Sequence, residues 1–322
     1  MISFENLILI TLLSPLLVCL LTPLLSSRPI LRDILGPLGG IISSWGAIQL
    51  MASILNGEQP RLELLQIAEG ISISFVVTPL GAIFGLVASV LWIFAAIYSV
   101  GYMRGNKEKN QTRFYIFYAM AVHAALCIAY AGDLLTLFIF YEVLTFSTYP
   151  LVTHKQNEMA QKAGRLYMSI LVGTSVILLL PAIIWVWVVT GSLEMSQNGV
   201  LDGKMNPNYA PYLLAMFVFG IGKAALMPIH KWLPAAMVAP TPVSALLHAV
   251  AVVKAGVFTM LLILTNVFGI DFLSKTGASN WLVWLASFTL LTTSIIAIYK
   301  DDIKARLAYS TISQLSYITL GG

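Results

Sequence analysis

The sequence predicts an all-α protein, a polytopic membrane helix bundle of about ten transmembrane helices with a broken seventh helix and the N-terminus outside. Of its 322 residues, 58% are hydrophobic and 10% are charged, and the mean hydropathy is +0.87. A soluble domain carries about 25% charged residues. The composition therefore excludes a soluble enzyme, a disordered protein and a nucleic-acid binder, and no nucleic-acid partner is expected.

Ten apolar runs approach the length of about 20 residues that a helix needs to cross a bilayer. They lie near residues 7–25, 34–55, 76–101, 114–131, 134–152, 166–190, 211–227, 242–267, 281–299 and 303–320. The first run lacks the basic start of a cleaved signal peptide, because Glu5 is its only early charge.

Two of the outer connections do not fit simple spans. Residues 56–74 combine turn residues with the alternation Ile71-Ser72-Ile73-Ser74, which predicts a short hairpin. Residues 191–209 form a polar loop.

The distribution of Lys and Arg predicts the orientation. With the N-terminus outside, the inner loops hold 13 basic residues and the outer loops hold Arg61, Lys204 and Lys275. Every inner loop is then net positive, as the positive-inside rule requires. The remaining basic residues, Lys223 and Lys254, lie inside predicted spans.

Three charges inside the spans lie at similar depth. Glu142 is nine residues past Asp133, roughly 14 Å into the bilayer at 1.5 Å per residue. Lys223 and Lys254 each lie twelve residues from the start of their runs, roughly 18 Å in from opposite sides. An ionisable group at this depth indicates a functional site.

Two interpretations of these charges stay open. A structural ion pair would fix helix packing, although such pairs contribute little net stability. A proton relay is the favoured hypothesis. A lysine in apolar surroundings holds its proton less tightly, and a nearby carboxylate strengthens its hold. A change in that carboxylate or in hydration would then switch Lys223 between holding and releasing a proton.

Other polar residues in or near the spans have alternative roles. His248 is six residues before Lys254, about 600° around a helix, so the two could exchange a proton only through water. His123 is expected to be a packing residue. Asp133 is either a helix N-cap or an accessory member of the relay. His230, at the inner boundary, is a further accessory candidate.

Prolines interrupt the seventh run. Pro228 removes a backbone donor and clashes with the preceding turn, and Pro234 follows six residues later. Broken helices build ion sites near the midplane of many transporters. Lys223 lies five residues before Pro228, so a mobile lysine and water would coincide there.

Three stretches resemble the proton-conducting, antiporter-like membrane subunits. The longest is GKAALMPIHKWLPAAMVAPTPVSALLHAVAVVKAGVF at 222–258, and the others are FIFYEVLTFSTYPLV at 138–152 and DDIKARLAYSTISQLSYI at 301–318. That family includes the large membrane-arm subunits of respiratory complex I (NADH:quinone oxidoreductase), the large subunits of Mrp-type sodium/proton antiporters and the membrane-bound hydrogenase arms. The motif with both His and Lys is most similar to the Mrp or hydrogenase branch.

The resemblance implies roles for matching residues. Glu142 corresponds to the mid-membrane glutamate on helix 5 that modulates the lysine of broken helix 7, here Lys223. Lys254 and His248 correspond to helix 8 positions that pass protons along the hydrated axis. The sixth run, 166–190, holds no charge, so Glu142 would act without the helix 6 acid that some members carry.

The resemblance also implies a division of the chain. Residues 1–113 would form three N-terminal helices, 114–267 a complete five-helix repeat and 268–322 the start of a second repeat. Either the chain is a fragment or a partner subunit supplies the remaining helices, including the helix 12 charge.

These observations predict a subunit that moves protons, or sodium and protons, within a multisubunit complex of a bacterial or archaeal plasma membrane. No cofactor motif and no metal site are found, so any redox chemistry would belong to partner subunits. The alternatives are a sodium/proton antiporter module, in which Glu142 or Asp133 meets a cation, and a non-pumping membrane anchor.

Overall fold

The computed structural model describes residues 3–246 and 251–322. These residues form two compact units. The first comprises residues 1–66, 73–160 and 239–252, and the second comprises 67–72, 161–238 and 253–322, less the residues outside the described ranges.

Five long helices make up most of the first unit. They are α1 (Phe4–Leu24), α2 (Pro29–Leu55), α3 (Pro79–Gly105), α4 (Gln111–Ala129) and α5 (Leu134–Val152). Helix α1 packs on α2 and α4, α2 packs on α3, and α4 packs on α5. Glycine allows close approach of these helices, because a Cβ at Gly39 of α2 would meet Val18 of α1 and lie 2.9 Å from Trp92 of α3.

A two-stranded hairpin lies between α2 and α3, as the sequence predicts. Strand β1 is Arg61–Ala68 and β2 is Ile71–Val76. Gly70 supplies the positive φ, +73°, that the turn requires. In the first unit, β2 pairs with the connection from α4 to α5, where the Val76 amide donates to the Tyr130 carbonyl over 2.7 Å.

The helices of the second unit are interrupted more often than those of the first. Helix α6 (Glu158–Thr174) continues through a π-helical segment, Ser175–Leu179, into α7 (Leu180–Thr190). This wider turn lies just before Pro181, which has no N–H to donate. Short pieces follow: α8 (Ala210–Gly220) and α9 (Trp232–Ala235).

The remaining helices follow in chain order. They are α10 (Thr241–Ala245, in the first unit), α11 (Val252–Leu262), α12 (Ile270–Thr276), α13 (Asn280–Ile298) and α14 (Ile303–Gly321). A second π-helical segment, Ile263–Phe268, ends α11, and the chain bends by 77° into α12.

The described residues contain seven helices that are long and apolar enough to span a membrane, or eight with the bent pair at 252–276. The predicted count of ten is therefore not confirmed. The seventh predicted run contributes only the 11-residue α8. The tenth forms α14, which has sufficient length but is more polar than the others.

Candidate functional site

The seventh predicted span is broken, but at an earlier residue than the prolines predict. Helix α8 ends at Gly220, and Lys223 lies in a single 3₁₀ turn, Gly222–Ala224. Pro228 comes after this turn, where the Met227–Pro228 peptide bond is cis, and Pro234 lies in the short α9. Lys223 is therefore inside the break and not in the helix before it.

Close packing explains why the helix ends at Gly220. A Cβ at this residue would lie 2.5 Å from the Leu179 amide nitrogen, and a Cβ at Gly222 would lie 2.5 Å from the Thr174 hydroxyl. Both glycines are thus fitted against the end of α6 and its π-helical segment. Glycine is also a poor helix former, so the chain leaves the helix where it meets α6.

The backbone of the break is held by side chains from outside it. The Trp232 indole donates to the Gly222 carbonyl over 2.9 Å, and the Met227 amide donates to the Thr289 hydroxyl of α13 over 3.3 Å. Trp232 and Thr289 are both fully buried. Non-helical backbone at membrane depth is tolerated where protein covers it, and these contacts provide that cover.

Ala225 has an unusual conformation within the break. Its φ of +55° places a residue with a Cβ in the left-handed region, which disfavours L-residues other than glycine. The 3₁₀ turn that carries Lys223 ends at this residue. The local strain indicates that the surrounding contacts determine this conformation.

Helix α11 lies directly against the Lys223 turn. A Cβ at Gly256 would meet the Lys223 carbonyl carbon and lie 2.5 Å from the Ala224 nitrogen. Lys254 precedes Gly256 by two residues, which is about 200° around a helix. Lys254 therefore leaves α11 on the side away from the turn. The structure thus brings the backbones of the two lysine-bearing segments together at Gly256.

The two lysines differ in burial. Lys223 is fully buried, at 0% exposure, whereas Lys254 is partly exposed.

Thr259, one turn beyond Gly256 on the same side of α11, is fully buried, and its hydroxyl has no hydrogen-bond partner among the described residues. A buried hydroxyl of this kind is a natural partner for a water molecule.

His230 follows the break at the predicted inner boundary. It lies in the 3₁₀ turn Ile229–Lys231, and its ring contacts that of Tyr309 of α14, with centroids 6.4 Å apart. The Tyr309 ring is also 5.6 Å from the Lys300 ammonium. His230 thus lies beside α14, through the ring of Tyr309.

Glu142 lies in the middle of α5, in the first unit. Both of its carboxylate oxygens are buried, and neither has a hydrogen-bond partner among the described residues. A buried carboxylate without donors is costly when charged, so this group calls for a proton, a water molecule or a cation. The pairing of Glu142 with Lys223 stays a prediction.

Asp133 is the N-cap of α5 and anchors the hairpin. Its carboxylate accepts from the Thr136 amide at 2.7 Å and the Thr136 hydroxyl at 2.7 Å. It also accepts from the Ser74 amide at 3.0 Å and the Ser74 hydroxyl at 2.7 Å. Asp133 is fully buried. The sequence leaves open whether Asp133 is a helix N-cap or a member of the relay, and these contacts are those of an N-cap.

The two histidines of the predicted spans differ in what can be said of them. His123 is buried, and its Nδ1 lies 2.8 Å from the Leu12 carbonyl, which can only accept, so that nitrogen donates. Its ring packs edge-on against Phe140, in agreement with a packing role. His248, predicted for the relay, lies outside the described residues.

Sequence reasoning missed several residues of the break. Thr289 lies in a hydroxyl-rich stretch of α13, SFTLLTTS, and this polarity within an apolar run was the available signal. Trp232 and Gly256 gave no comparable signal, because their roles depend on which backbone segments meet.

Two known families match the chain. Residues 131–322 match the family described as NADH:quinone oxidoreductase/Mrp antiporter, TM. Residues 65–115 match the family described as NADH-ubiquinone oxidoreductase (complex I), chain 5 N-terminus.

Relatives with similar sequences carry the name antiporter subunit mnhA2. The protein from Staphylococcus haemolyticus is 26% identical over 317 residues, which is 95% of this chain and 38% of the relative. The protein from Staphylococcus aureus is 32% identical over 245 residues, which is 74% of this chain and 29% of the relative. The chain thus spans well under half the length of these relatives.

Solved structures share the fold. A chain of the membrane-bound sulfane sulfur reductase, an archaeal respiratory membrane complex, superposes with a TM-score of 0.85 at 22% identity, covering 97% of this chain and 64% of that one. A chain of the Mrp complex from Dietzia sp. superposes with a TM-score of 0.82 at 23% identity, covering 97% and 34%. With the family match over 131–322, these findings show that this chain is an integral, multi-pass membrane protein of the NADH:quinone oxidoreductase/Mrp antiporter family.

Proposed function

We propose that the chain is a proton-translocating, antiporter-like subunit of a multisubunit membrane complex, with Lys223 as its central proton carrier. The observation that carries this proposal is the complete burial of Lys223 inside a helix break. Lysine is almost never fully buried without a specific reason. At membrane depth an ionisable group is costly and marks an ion pathway.

The described groups of the proposed path belong to the second unit. A proton from the inner face reaches Lys223 past His230, which lies seven residues along the chain. Transfer onward to Lys254 is proposed to use water, because Lys254 lies about 200° around α11 from Gly256, the residue that contacts the Lys223 turn. The unpartnered hydroxyl of Thr259 offers a place for such a water. His248 is the further relay group that the sequence predicts.

Glu142 is proposed to set how tightly Lys223 holds its proton. The support is its buried carboxylate without a donor among the described residues, since a nearby carboxylate strengthens the hold of a lysine on its proton. A cation near Glu142 stabilises its charged form, and a protonated Glu142 removes the attraction for Lys223. Either change would alter proton release from Lys223.

Sodium/proton antiport is the second candidate. It is favoured by the relatives named as antiporter subunits and by the two bare oxygens of Glu142, since hard cations prefer oxygen ligands. This candidate predicts that sodium addition changes the internal pH of vesicles. Proton movement without sodium dependence favours the first proposal.

The proposed setting is a bacterial or archaeal plasma membrane, where other membrane subunits complete the assembly. The support is that the structural relatives are chains of complexes. The division into a three-helix N-terminal part (1–113), a five-helix repeat (114–267) and the start of a second repeat (268–322) belongs to the same proposal.

The test is proton movement in membrane vesicles that contain the chain with its native partner subunits. Lys223→Ala and Glu142→Gln are each expected to reduce the rate at least tenfold. Lys275→Ala is the matched control, because its side chain is 68% exposed and forms only a surface ion pair with Asp202. Full activity of both site variants would overturn the proposal and would favour the non-pumping anchor.

A further inference from the structure

The hydroxyl of Thr289 satisfies one of the backbone groups that the helix break sets free. It accepts a hydrogen bond from the Met227 amide over 3.3 Å and donates its own proton to the Leu285 carbonyl over 2.8 Å. Thr289 is fully buried near the middle of the 19-residue α13. The contact therefore joins the break to a continuous helix through a buried side chain.

This contact lies close to Lys223 along the chain. Met227 is four residues beyond Lys223, and the Gly222 carbonyl, held by the Trp232 indole, is one residue before it. The segment 222–227, which contains the Lys223 turn, is thus fixed at both ends by side chains that do not belong to it. Trp232 holds the end next to α8, and Thr289 holds the end next to Pro228.

The two anchors differ in length. The bond from Trp232 is 2.9 Å long, within the usual range, whereas the bond from Met227 to Thr289, at 3.3 Å, is slightly beyond it. The Thr289 contact is therefore the longer of the two. Ala225, with its left-handed backbone, lies between Lys223 and Met227, so release at Met227 lets this segment relax.

We propose that Thr289 is a positioning residue for Lys223, acting through its hydrogen bond to the Met227 amide. The hydroxyl keeps residues 223–227 in the conformation that buries the lysine, and its release allows that turn to rearrange. This inference rests on the proposed function of Lys223, but the contact itself can be tested without transport.

The chain offers a matched control on the same helix. Thr293 is one turn further along α13, is also fully buried, and donates its hydroxyl to the Thr289 carbonyl over 2.7 Å. Thr289→Val and Thr293→Val remove the same atom from the same kind of site. Only the first removes the acceptor of the Met227 amide, whereas Thr289→Ser keeps it.

The first measurement is hydrogen–deuterium exchange of the segment 222–232 in the complete complex. Thr289→Val is expected to speed exchange of this segment about fivefold, the change that corresponds to loss of one hydrogen bond. Thr289→Ser and Thr293→Val are expected to stay within twofold of the unmodified protein. Equal exchange in all three variants overturns the inference, whatever the result of transport.

The second measurement is the pH dependence of proton movement in vesicles. Thr289→Val is expected to lower the rate roughly tenfold or more, as misplacement of a reacting group does, and to shift the pH of half-maximal rate. Thr289→Ser should restore both. A lowered rate with an unchanged pH profile would reveal a merely structural role and overturn the inference. Loss of transport in Lys223→Ala tests the proposed function separately.

Discussion

An added methyl group at Gly256 would separate α11 from the Lys223 turn. In Gly256→Ala, the Cβ would lie 2.5 Å from the Ala224 nitrogen and 2.6 Å from the Lys223 carbonyl oxygen. Heavy atoms in ordinary contact are about 3.5 Å apart, so the two backbones would have to separate by roughly 1 Å. Overpacking of this kind costs about 1–3 kcal/mol.

The better helix propensity of alanine offsets about 1 kcal/mol of this cost. The free energy of unfolding should therefore fall by up to about 2 kcal/mol. The effect on transport should be larger than the effect on stability, because a displacement of 1 Å at a reacting group can reduce a rate about a hundredfold.

Gly173→Ala in α6 provides the control. It is the same substitution in a helix of the same unit, and no heavy atom lies within 4 Å of its new Cβ, so it should be neutral or slightly stabilising. Thermal unfolding in detergent and proton movement in vesicles measure the two effects. If Gly256→Ala matches Gly173→Ala in both assays, α11 does not pack on the Lys223 turn as described.

Three further predictions concern stability, each measured by thermal unfolding in detergent. Ala225→Gly should stabilise by about 0.5–1 kcal/mol, since relief of the left-handed strain exceeds the entropic cost of glycine; a lower Tm would contradict this. Asp133→Ala should cost at least about 2 kcal/mol, because buried donors lose their acceptor. The exposed N-cap variant Asp302→Ala should cost only about 1 kcal/mol, and equal losses would refute the anchoring role. Burial and a neighbouring arginine lower the pKa of His154 from 6.5. Folding therefore disfavours its protonation, and the stability present above pH 6.5 should be lost as the pH falls below it. His154→Gln should weaken this acid sensitivity, and Lys155→Gln should weaken it less, because the charge of Lys155 makes only a small contribution to the lowered pKa.

Local sequence patterns predicted those elements that local physics determines. The alternation at 71–74 predicted the hairpin, and the apolar runs predicted α1 to α5 within a few residues. These elements depend on hydrophobic periodicity and on turn residues, which are visible in one sequence.

The details of the break could not be predicted in the same way. Pro228 correctly indicated an interrupted helix, but the helix ends eight residues earlier, because Gly220 meets the backbone of Leu179. The anchors Trp232 and Thr289 likewise depend on contacts between segments distant in sequence. Such a tertiary contact overrides the local signal, and it produces no regular spacing of residues in the sequence from which it could be predicted.

The contact between Gly256 and the Lys223 carbonyl bears on how Lys223 would operate as the proposed proton carrier. With α11 touching this peptide group, the main chain at residue 223 is held against its neighbour while residues 225–227 beyond it stay free to rearrange, and the flexible four-carbon stem of the lysine can swing. Exposure of the amine to one side of the bilayer or the other would then depend on rotamer changes and on the making and breaking of water chains. Rocking of whole helical bodies, the common solution among secondary transporters, would be unnecessary.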